Sequence, residues 1–351
     1  MQVPHMNKGN GDTSYAKNAT VQREIISVGK PIMQEAVQEM LRSCNVTHGN
    51  RRLRLLLGTQ DFICNHRHHR HGESRKHSSR SAPGVKTERR ERAWTRILLQ
   101  IGCSGLFLRQ IVPCQQPAFR AFFFQSSLAL TGYGRMLQAP AGLESDDLKY
   151  VNKGKLYISK SSPQCVMDAY SLQFKKDFSL FIKSRSQEIV PGGRMYLSFL
   201  GQRSADNTTE ESCYSLELLT EAIMSLAREG RIEEEKVDSF NAAYYGPCAE
   251  EMKEEIQTEG PFTIDRLEDF EIDWDSNVVA DIHTPQGKLL IGQGVAKNIR
   301  SVVESVLESH FGIQPDVMDD LFIWFADIVG THLSKSRTKY IYTVMVLTRK
   351  G

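Results

Sequence analysis

The stretch Val237-Asp238-Ser239-Phe240-Asn241-Ala242-Ala243-Tyr244-Tyr245 places two side chains with hard oxygen atoms close together among aromatic residues. Asp238 and Asn241 supply the oxygen ligands that magnesium prefers, and the backbone carbonyl of Phe240 can add a third. The same residues have a simpler interpretation, in which Asp238 caps a turn and Asn241 fills a loop. Spacing alone favours the simpler interpretation.

This stretch also resembles the metal-binding signature of the plant carboxyl methyltransferases called the SABATH family. Met6 to Gln38 and the chain from about Gln138 to Gly351 are similar to that family, whereas the residues between them are not. In the family an Asn before Lys-Gly completes the metal site, and Asn152-Lys153-Gly154 provides that match. The resemblance therefore implies a magnesium site made of Asn152, Asp238, Phe240 and Asn241.

The N-terminal part of the chain carries a second resemblance to SABATH enzymes. Ser14-Tyr15-Ala16-Lys17-Asn18, followed by Gln22, is similar to the pattern with which they open. The resemblance implies that Tyr15 touches S-adenosylmethionine and that the Gln22 amide reaches the substrate carboxylate. It also places Leu216 where many relatives have a substrate-facing Trp. The simpler alternatives are a docking helix around Gln22 and ordinary helix packing for Leu216.

From Lys155 onward the pattern alternates strands and helices, which indicates an α/β fold. The resemblance implies a doubly wound, Rossmann-like methyltransferase sheet with a helical cap. We predict strands at 155–159, 192–199, 262–268 and 340–348, helices at 163–186, 216–229 and 250–259, and two helices before the last strand. Gly230 and Gly260 are expected to end the helices that precede them.

Residues 51–96 are rich in Arg and His and lack sustained apolar periodicity. Taken literally, they form a basic, disordered insert. Two alternatives are a nucleic-acid-binding insert, because clustered cations neutralise phosphates, and a metal-binding tract, because imidazoles ligate zinc.

A displaced reading frame offers another explanation for this segment. One base later, codons for Arg54 to Asp61 can encode Gly-Cys-Ser-Ser-Gly-Pro-Lys, the family's glycine-rich cofactor motif, and codons for Gly102 to Gln110 and Ile111 to Ala129 can encode two further family motifs. We therefore expect translation out of frame from about Val46 to Met136. The chain then divides into an N-terminal docking segment at 1–45, an aberrant segment at 46–136 and the remaining methyltransferase core and cap at 137–351, with the first part of the sheet missing or disrupted.

Composition excludes several classes of protein. A formal charge of +2 and 40% hydrophobic residues create no general demand for nucleic acid or an anionic membrane. The seven cysteines are odd in number and include no C-x-x-C pair, which argues against a disulfide framework or a zinc knuckle. No apolar signal core opens the chain, so we expect a cytoplasmic protein with no membrane and no nucleic-acid partner.

The resemblance implies S-adenosylmethionine-dependent methylation of a small plant acid of the jasmonate, salicylate or benzoate type. A carboxylic acid with a pKa of about 4 is ionised at neutral pH, so no protein base and no catalytic side chain are assigned. Family members often form homodimers. The alternatives are a non-catalytic methyltransferase remnant that cannot bind the cofactor, because the glycine-rich motif is not encoded in frame, and a nucleic-acid-binding protein.

Overall fold

The computed structural model describes residues 7, 11–18, 20–43, 98–102, 105–109, 123–124, 139–143, 151–275 and 278–351. The described helices are α1 (Tyr15–Asn18), α2 (Thr20–Ser43), α3 (Gln164–Glu188), α4 (Glu210–Arg228), α5 (Glu234–Ser239), α6 (Ala249–Glu259), α7 (Pro285–Phe311) and α8 (Pro315–Leu333). The described strands are β1 (Leu98–Gly102), β2 (Gly105–Arg109), β3 (Phe123–Phe124), β4 (Arg194–Gly201), β5 (Phe262–Asp273) and β6 (Lys339–Arg349). The protein is therefore α/β.

The last strand lies in the middle of the main sheet, whose order is β4-β6-β5. β6 is antiparallel to both neighbours, with Gly201 opposite Ile341 and Asp273 opposite Lys339. β4 and β5 consequently run in the same direction, and their carboxyl ends meet the start of β6 at one edge. We call this the carboxyl edge of the sheet.

Helices cover both faces of this sheet. On one face, Gly29 of α2 packs against Tyr196 and Val344, so closely that a β-carbon there would lie 2.1 Å from the Tyr196 hydroxyl oxygen. On the other face, Phe178 of α3 meets Phe199 edge to face, with ring centroids 5.8 Å apart. Side chains alternate between the faces along a strand. Tyr196, Ser198, Tyr342 and Val344 therefore all point towards α2.

The second described sheet has the order β1-β2-β3 and contains only antiparallel pairs. Together with the main sheet, this means that every strand pair in the described part of the chain is antiparallel, apart from a single parallel bridge between Gln202 and Cys248. The parallel strands expected of a doubly wound sheet do not occur within these ranges. Most of the 46–136 segment lies outside the described residues, so the predicted disruption there stays a prediction.

Most predicted elements of the C-terminal part are confirmed. The helix predicted at 163–186 is α3, those at 216–229 and 250–259 are α4 and α6, and the two tail helices are α7 and α8. Gly230 and Gly260 adopt φ angles of +72° and +83°, the left-handed conformation expected at helix ends. The strand predicted at 262–268 continues to Asp273, with a register shift between Ile264 and Arg266.

The strand predicted at 155–159 was wrong, because these residues form turns and an irregular connection. Three of their backbone groups bond to side chains, and the Leu156 carbonyl accepts from the Ala242 N–H of a loop. The Asn152 amide donates to the Tyr157 carbonyl at 3.0 Å, and the Ser159 N–H donates to the Ser162 hydroxyl at 3.0 Å. Leu156, Tyr157 and Ile158 are nevertheless buried, so their apolar character marks a buried loop.

Candidate functional site

The predicted metal-binding residues come together at a contact between two loops. The Gly154 N–H donates to Asp238 Oδ1 at 2.8 Å, and the Ala242 N–H donates to the Leu156 carbonyl at 2.8 Å. The segment that starts at Asn152 therefore runs beside the loop that starts at Asp238. Since 84 residues separate Gly154 from Asp238 in the chain, this meeting depends on the tertiary fold.

The oxygen atoms of this double loop differ in their availability. Asn241 Oδ1 is buried and has no hydrogen-bond partner among the described residues, and Asp238 uses one of its two oxygens for the Gly154 N–H. Asn152 Oδ1 already accepts a hydrogen bond from the Ser162 hydroxyl at 2.8 Å. Asn241 Oδ1 is thus the predicted ligand atom without a partner among the described residues, and the magnesium site stays a prediction. Asn152 shapes the neighbouring loop.

Only one of the predicted metal ligands, Asp238, has a carboxylate. Within the described ranges, no three His, Cys, Asp or Glu side chains group closely enough to hold a metal ion. A site with one carboxylate and neutral oxygens attracts a divalent cation less strongly than a site with several charges. A magnesium ion at the predicted site would therefore have a single carboxylate ligand, Asp238.

Aromatic side chains pack against the double loop. The Tyr157 ring lies 4.8 Å from the Tyr244 ring and 5.1 Å from the Tyr170 ring, measured between centroids. On the other side of the loop, Phe240 packs edge to face on His310, 5.0 Å away. This packing fixes the loop between α3 and α7.

A buried polar chain beside the loop was missed by sequence analysis. It leads from the Gln202 amide to Asn207 Oδ1 (2.9 Å), from the Asn207 amide to the Tyr245 hydroxyl (3.2 Å), and from that hydroxyl to Glu251 Oε1 (2.7 Å). The second oxygen of Glu251 accepts from the Cys248 N–H at 2.9 Å, so the carboxylate also caps α6. Burial, together with the nearby Glu251 charge, raises the pKa of the Tyr245 phenol. The phenol is therefore a hydrogen-bond donor at neutral pH.

The sequence contained one local signal for this series of hydrogen-bonded side chains. Glu251 stands three residues after Cys248, the spacing at which a side chain can reach back to the N-cap backbone. Asn207 and Tyr245 are 38 residues apart, and no local pattern connects them.

At the N-terminus, Tyr15 opens α1 and Gln22 lies in the first turns of α2. The Tyr15 N–H donates to the Asn7 carbonyl at 3.0 Å, and the Asn7 N–H donates to the Ser301 carbonyl of α7 at 3.2 Å. Tyr15 is thereby tied to α7. Gln22 is buried, and its Oε1 has no hydrogen-bond partner among the described residues.

Leu216 is buried in α4, where its backbone carbonyl accepts a hydrogen bond from the Thr220 hydroxyl at 2.6 Å. The Thr220 hydroxyl in turn is 3.4 Å from the Leu156 N–H, which donates to it. Leu216 is therefore part of the core where α4 meets the loop that contains Leu156. Its predicted contact with the substrate stays a prediction.

The Arg- and His-rich insert lies outside the described residues, as does most of the segment with the predicted frame displacement. None of the described helices has the length and apolar character that crossing a bilayer requires. Both cysteines whose side chains are described, Cys165 and Cys248, are free thiols.

Comparison with known proteins decides the family. The family profile described as SAM dependent carboxyl methyltransferase matches residues 1–51 and 80–350. The chain belongs to this family, the SABATH methyltransferases. The match omits residues 52–79, which include the His-rich run from His66 to His71.

Two plant proteins illustrate how far the likeness extends. This methyltransferase is 52% identical to a Theobroma cacao protein named probable jasmonic acid carboxyl methyltransferase 2, over 100% of this chain and 99% of that one. It is 37% identical to jasmonate O-methyltransferase of Arabidopsis thaliana, with the same coverage. A solved structure of loganic acid methyltransferase with SAH covers 99% of each chain with a TM-score of 0.64 and 22% identity. The last similarity identifies the fold as that of a methyltransferase.

A substitution tests the polar chain. Glu251→Gln replaces one acceptor oxygen with an NH₂ group, so either the Tyr245 hydroxyl or the Cys248 N–H faces another donor. We expect the free energy of unfolding to fall by about 1–3 kcal/mol, as for other buried donors left unsatisfied. Urea unfolding measures this. Glu254→Gln, an exposed change in the same helix, is the control, and equal stability of the two variants would contradict the role of Glu251.

Proposed function

We propose that this methyltransferase transfers the methyl group of S-adenosylmethionine to the carboxylate of a jasmonate-type plant acid. The observation that carries the proposal is the end-to-end similarity to two proteins named for jasmonate methylation. We further propose that the sheet is the Rossmann-like sheet of this family, with α4 in the cap. Helices on both faces of the β4-β6-β5 sheet support that assignment.

The methyl transfer requires little general acid–base catalysis. The acceptor carboxylate is ionised at neutral pH, with an ordinary pKa of about 4, so its oxygen is already a nucleophile. S-adenosylmethionine supplies the methyl carbon when it is bound. The protein must hold the two reactants in line and exclude water, which is the source of rate enhancement in such displacements.

Gln22 is the side chain that we propose for holding the acceptor. The Gln22 side chain is buried on the face of α2 that meets the sheet, and its Oε1 has no hydrogen-bond partner among the described residues. Rotation of the amide by 180° exchanges its oxygen and nitrogen, so the same buried position can present an N–H donor to a carboxylate. Tyr15, fixed to α7 through Asn7, is proposed to contact S-adenosylmethionine.

The variant Gln22→Met keeps the length of the side chain and removes its hydrogen bonds. We expect the KM for jasmonic acid to rise roughly 10-fold, as for loss of a hydrogen bond to a charged group, while the affinity for S-adenosylhomocysteine changes less than about twofold. Methyl ester formation, measured by gas chromatography with salicylic and benzoic acids in parallel, and calorimetric titration provide the two readouts.

Gln38→Met, an exposed change in the same helix, is the matched control. If the unaltered protein binds S-adenosylhomocysteine but esterifies none of the three acids, the substrate class is wrong. If Gln22→Met and Gln38→Met have the same KM, Gln22 does not hold the acid.

We propose that magnesium binds at the double loop through Asn152, Asp238, Asn241 and the Phe240 carbonyl, and that it stabilises the loop. The unpartnered Asn241 oxygen supports this proposal. Millimolar Mg²⁺ should raise the melting temperature of the protein, because a ligand that binds only the folded state stabilises it. Asp238→Asn should abolish the rise, whereas the exposed Asp168→Asn should keep it. A rise of equal size in both variants would place the ion elsewhere.

A second candidate is a remnant that has lost cofactor binding through the displaced frame at 46–136. The family match omits residues 52–79, which include Arg54 to Asp61, and this omission favours a displaced frame there. The match includes residues 80–136, so it gives no support to a displacement over that part of the segment. Sequencing the transcript tests it directly. We expect codons for Gly-Cys-Ser-Ser-Gly one base out of frame at Arg54 to Asp61, and their absence would refute the displacement.

We also propose a cytoplasmic location and a homodimer. Free thiols at Cys165 and Cys248 support the first, because a reducing compartment keeps thiols unpaired. Exposed Leu172 and Leu180 on α3 support the second, because large apolar side chains on a surface are often covered by a partner. Light scattering after size-exclusion chromatography measures the assembly.

A further inference from the structure

The seam between α2 and the sheet contains polar atoms that the described residues leave unsatisfied. Gln22 Oε1, Ser198 Oγ and the Tyr342 hydroxyl are buried without a hydrogen-bond partner. The residues are only 6%, 0% and 1% exposed, respectively. Since buried polar groups are nearly always paired in native proteins, three such atoms in one seam are candidates for hydrogen bonds to a bound molecule.

The direction of α2 brings these atoms to the carboxyl edge of the sheet. Gly29 lies over Tyr196 and Val344, and farther along α2 Glu39 pairs with Arg194 at the opposite edge. Gln22 precedes Gly29 by two helical turns, so it faces the sheet from about 10 Å nearer the carboxyl edge. On β6, Tyr342 precedes Val344 on the same face by about 7 Å in the same direction. Gln22 therefore lies over the region of Tyr342.

Two further contacts connect Tyr342 with the N-terminal segment and with β4. Burial raises the pKa of the Tyr342 phenol well above its usual range, and the nearby phenols of Tyr196 and Tyr15 raise it further. A weak interaction with the Ser198 hydroxyl lowers the pKa in part, but Ser198 Oγ and the Tyr342 hydroxyl do not reach hydrogen-bonding geometry, and neither has such a partner among the described residues. At neutral pH the Tyr342 hydroxyl is protonated and can donate.

We propose that the Tyr342 hydroxyl, with Ser198 beneath it, forms the floor of the ligand pocket and donates a hydrogen bond to a bound carboxylate. Two carboxylates reach this seam if the proposed function holds: that of the acceptor acid and that of the methionine part of the methyl donor. The inference rests on the proposed function and assigns it a residue on the last strand. The length of the Tyr342 side chain then contributes to the choice of acid.

Tyr342→Phe removes the hydroxyl and keeps the ring. We expect the affinity for the carboxylate ligand to fall roughly 10- to 100-fold, the range for a hydrogen bond to a charged group. We expect no loss of melting temperature without ligand, because removal of an unpaired buried hydroxyl is neutral or stabilising. A hydroxyl with only a structural role would give the opposite pair of results.

Tyr170→Phe is the matched control, because Tyr170 is also fully buried with an unpartnered hydroxyl but lies in α3, on the other side of the sheet. Calorimetry with S-adenosylhomocysteine and the KM for jasmonic acid separate the two ligands. A loss confined to calorimetry assigns Tyr342 to the methyl donor, and a rise confined to KM assigns it to the acid.

The outcomes also separate this inference from the proposed function. If the unaltered protein binds S-adenosylhomocysteine and Tyr342→Phe matches Tyr170→Phe in both readouts, only the assignment of Tyr342 is overturned. A lower melting temperature of ligand-free Tyr342→Phe overturns it as well. If the unaltered protein binds neither ligand, the proposed function itself fails, and the assignment falls with it.

Discussion

The insertion of β6 between β4 and β5 is the constraint on which the rest of the described structure depends. Because β6 returns antiparallel between two strands that share a direction, the carboxyl ends of β4 and β5 lie at one edge together with the first residues of β6. The loop after β4 starts the polar chain at Gln202, and Tyr342 is near the start of β6. Without β6, the strands β4 and β5 would have no common hydrogen-bonding partner.

The docking of α2 depends in turn on that sheet. Gly29 permits the helix to approach Tyr196 and Val344, because any larger residue would meet the Tyr196 hydroxyl. Arg266 of β5 pairs with Glu35, and Arg194 of β4 pairs with Glu39, so both ion pairs fix the C-terminal half of α2. The N-terminal half is then directed to the carboxyl edge, which is where the residues identified by their resemblance, Tyr15 and Gln22, are found.

The sequence predicted helices better than loops for identifiable reasons. Helix ends carry local signals, and Gly230 and Gly260 are the left-handed residues that such ends require. The stretch from Lys155 to Ser159 carried an apolar signal without a strand, because side chains of Asn152, Ser162 and Thr220 satisfy its backbone. Those partners are known only from the fold. Likewise, the motif identified the residues of the double loop, but it did not predict that the Ser162 hydroxyl donates to Asn152.

The state of hydrogen bonding distinguishes two kinds of buried polar residue in this protein. Asn207, Tyr245 and Glu251 satisfy one another and leave only the Gln202 end of their chain with an unpaired oxygen. Such a chain stabilises the fold whether or not a ligand is present. Gln22, Ser198 and Tyr342 each keep an oxygen atom without a partner among the described residues, and a ligand that hydrogen-bonds to these atoms would compensate the cost of burying them. An unsatisfied group is therefore better placed to bind than to stabilise, since a ligand gains the full hydrogen bond without having to displace a protein partner.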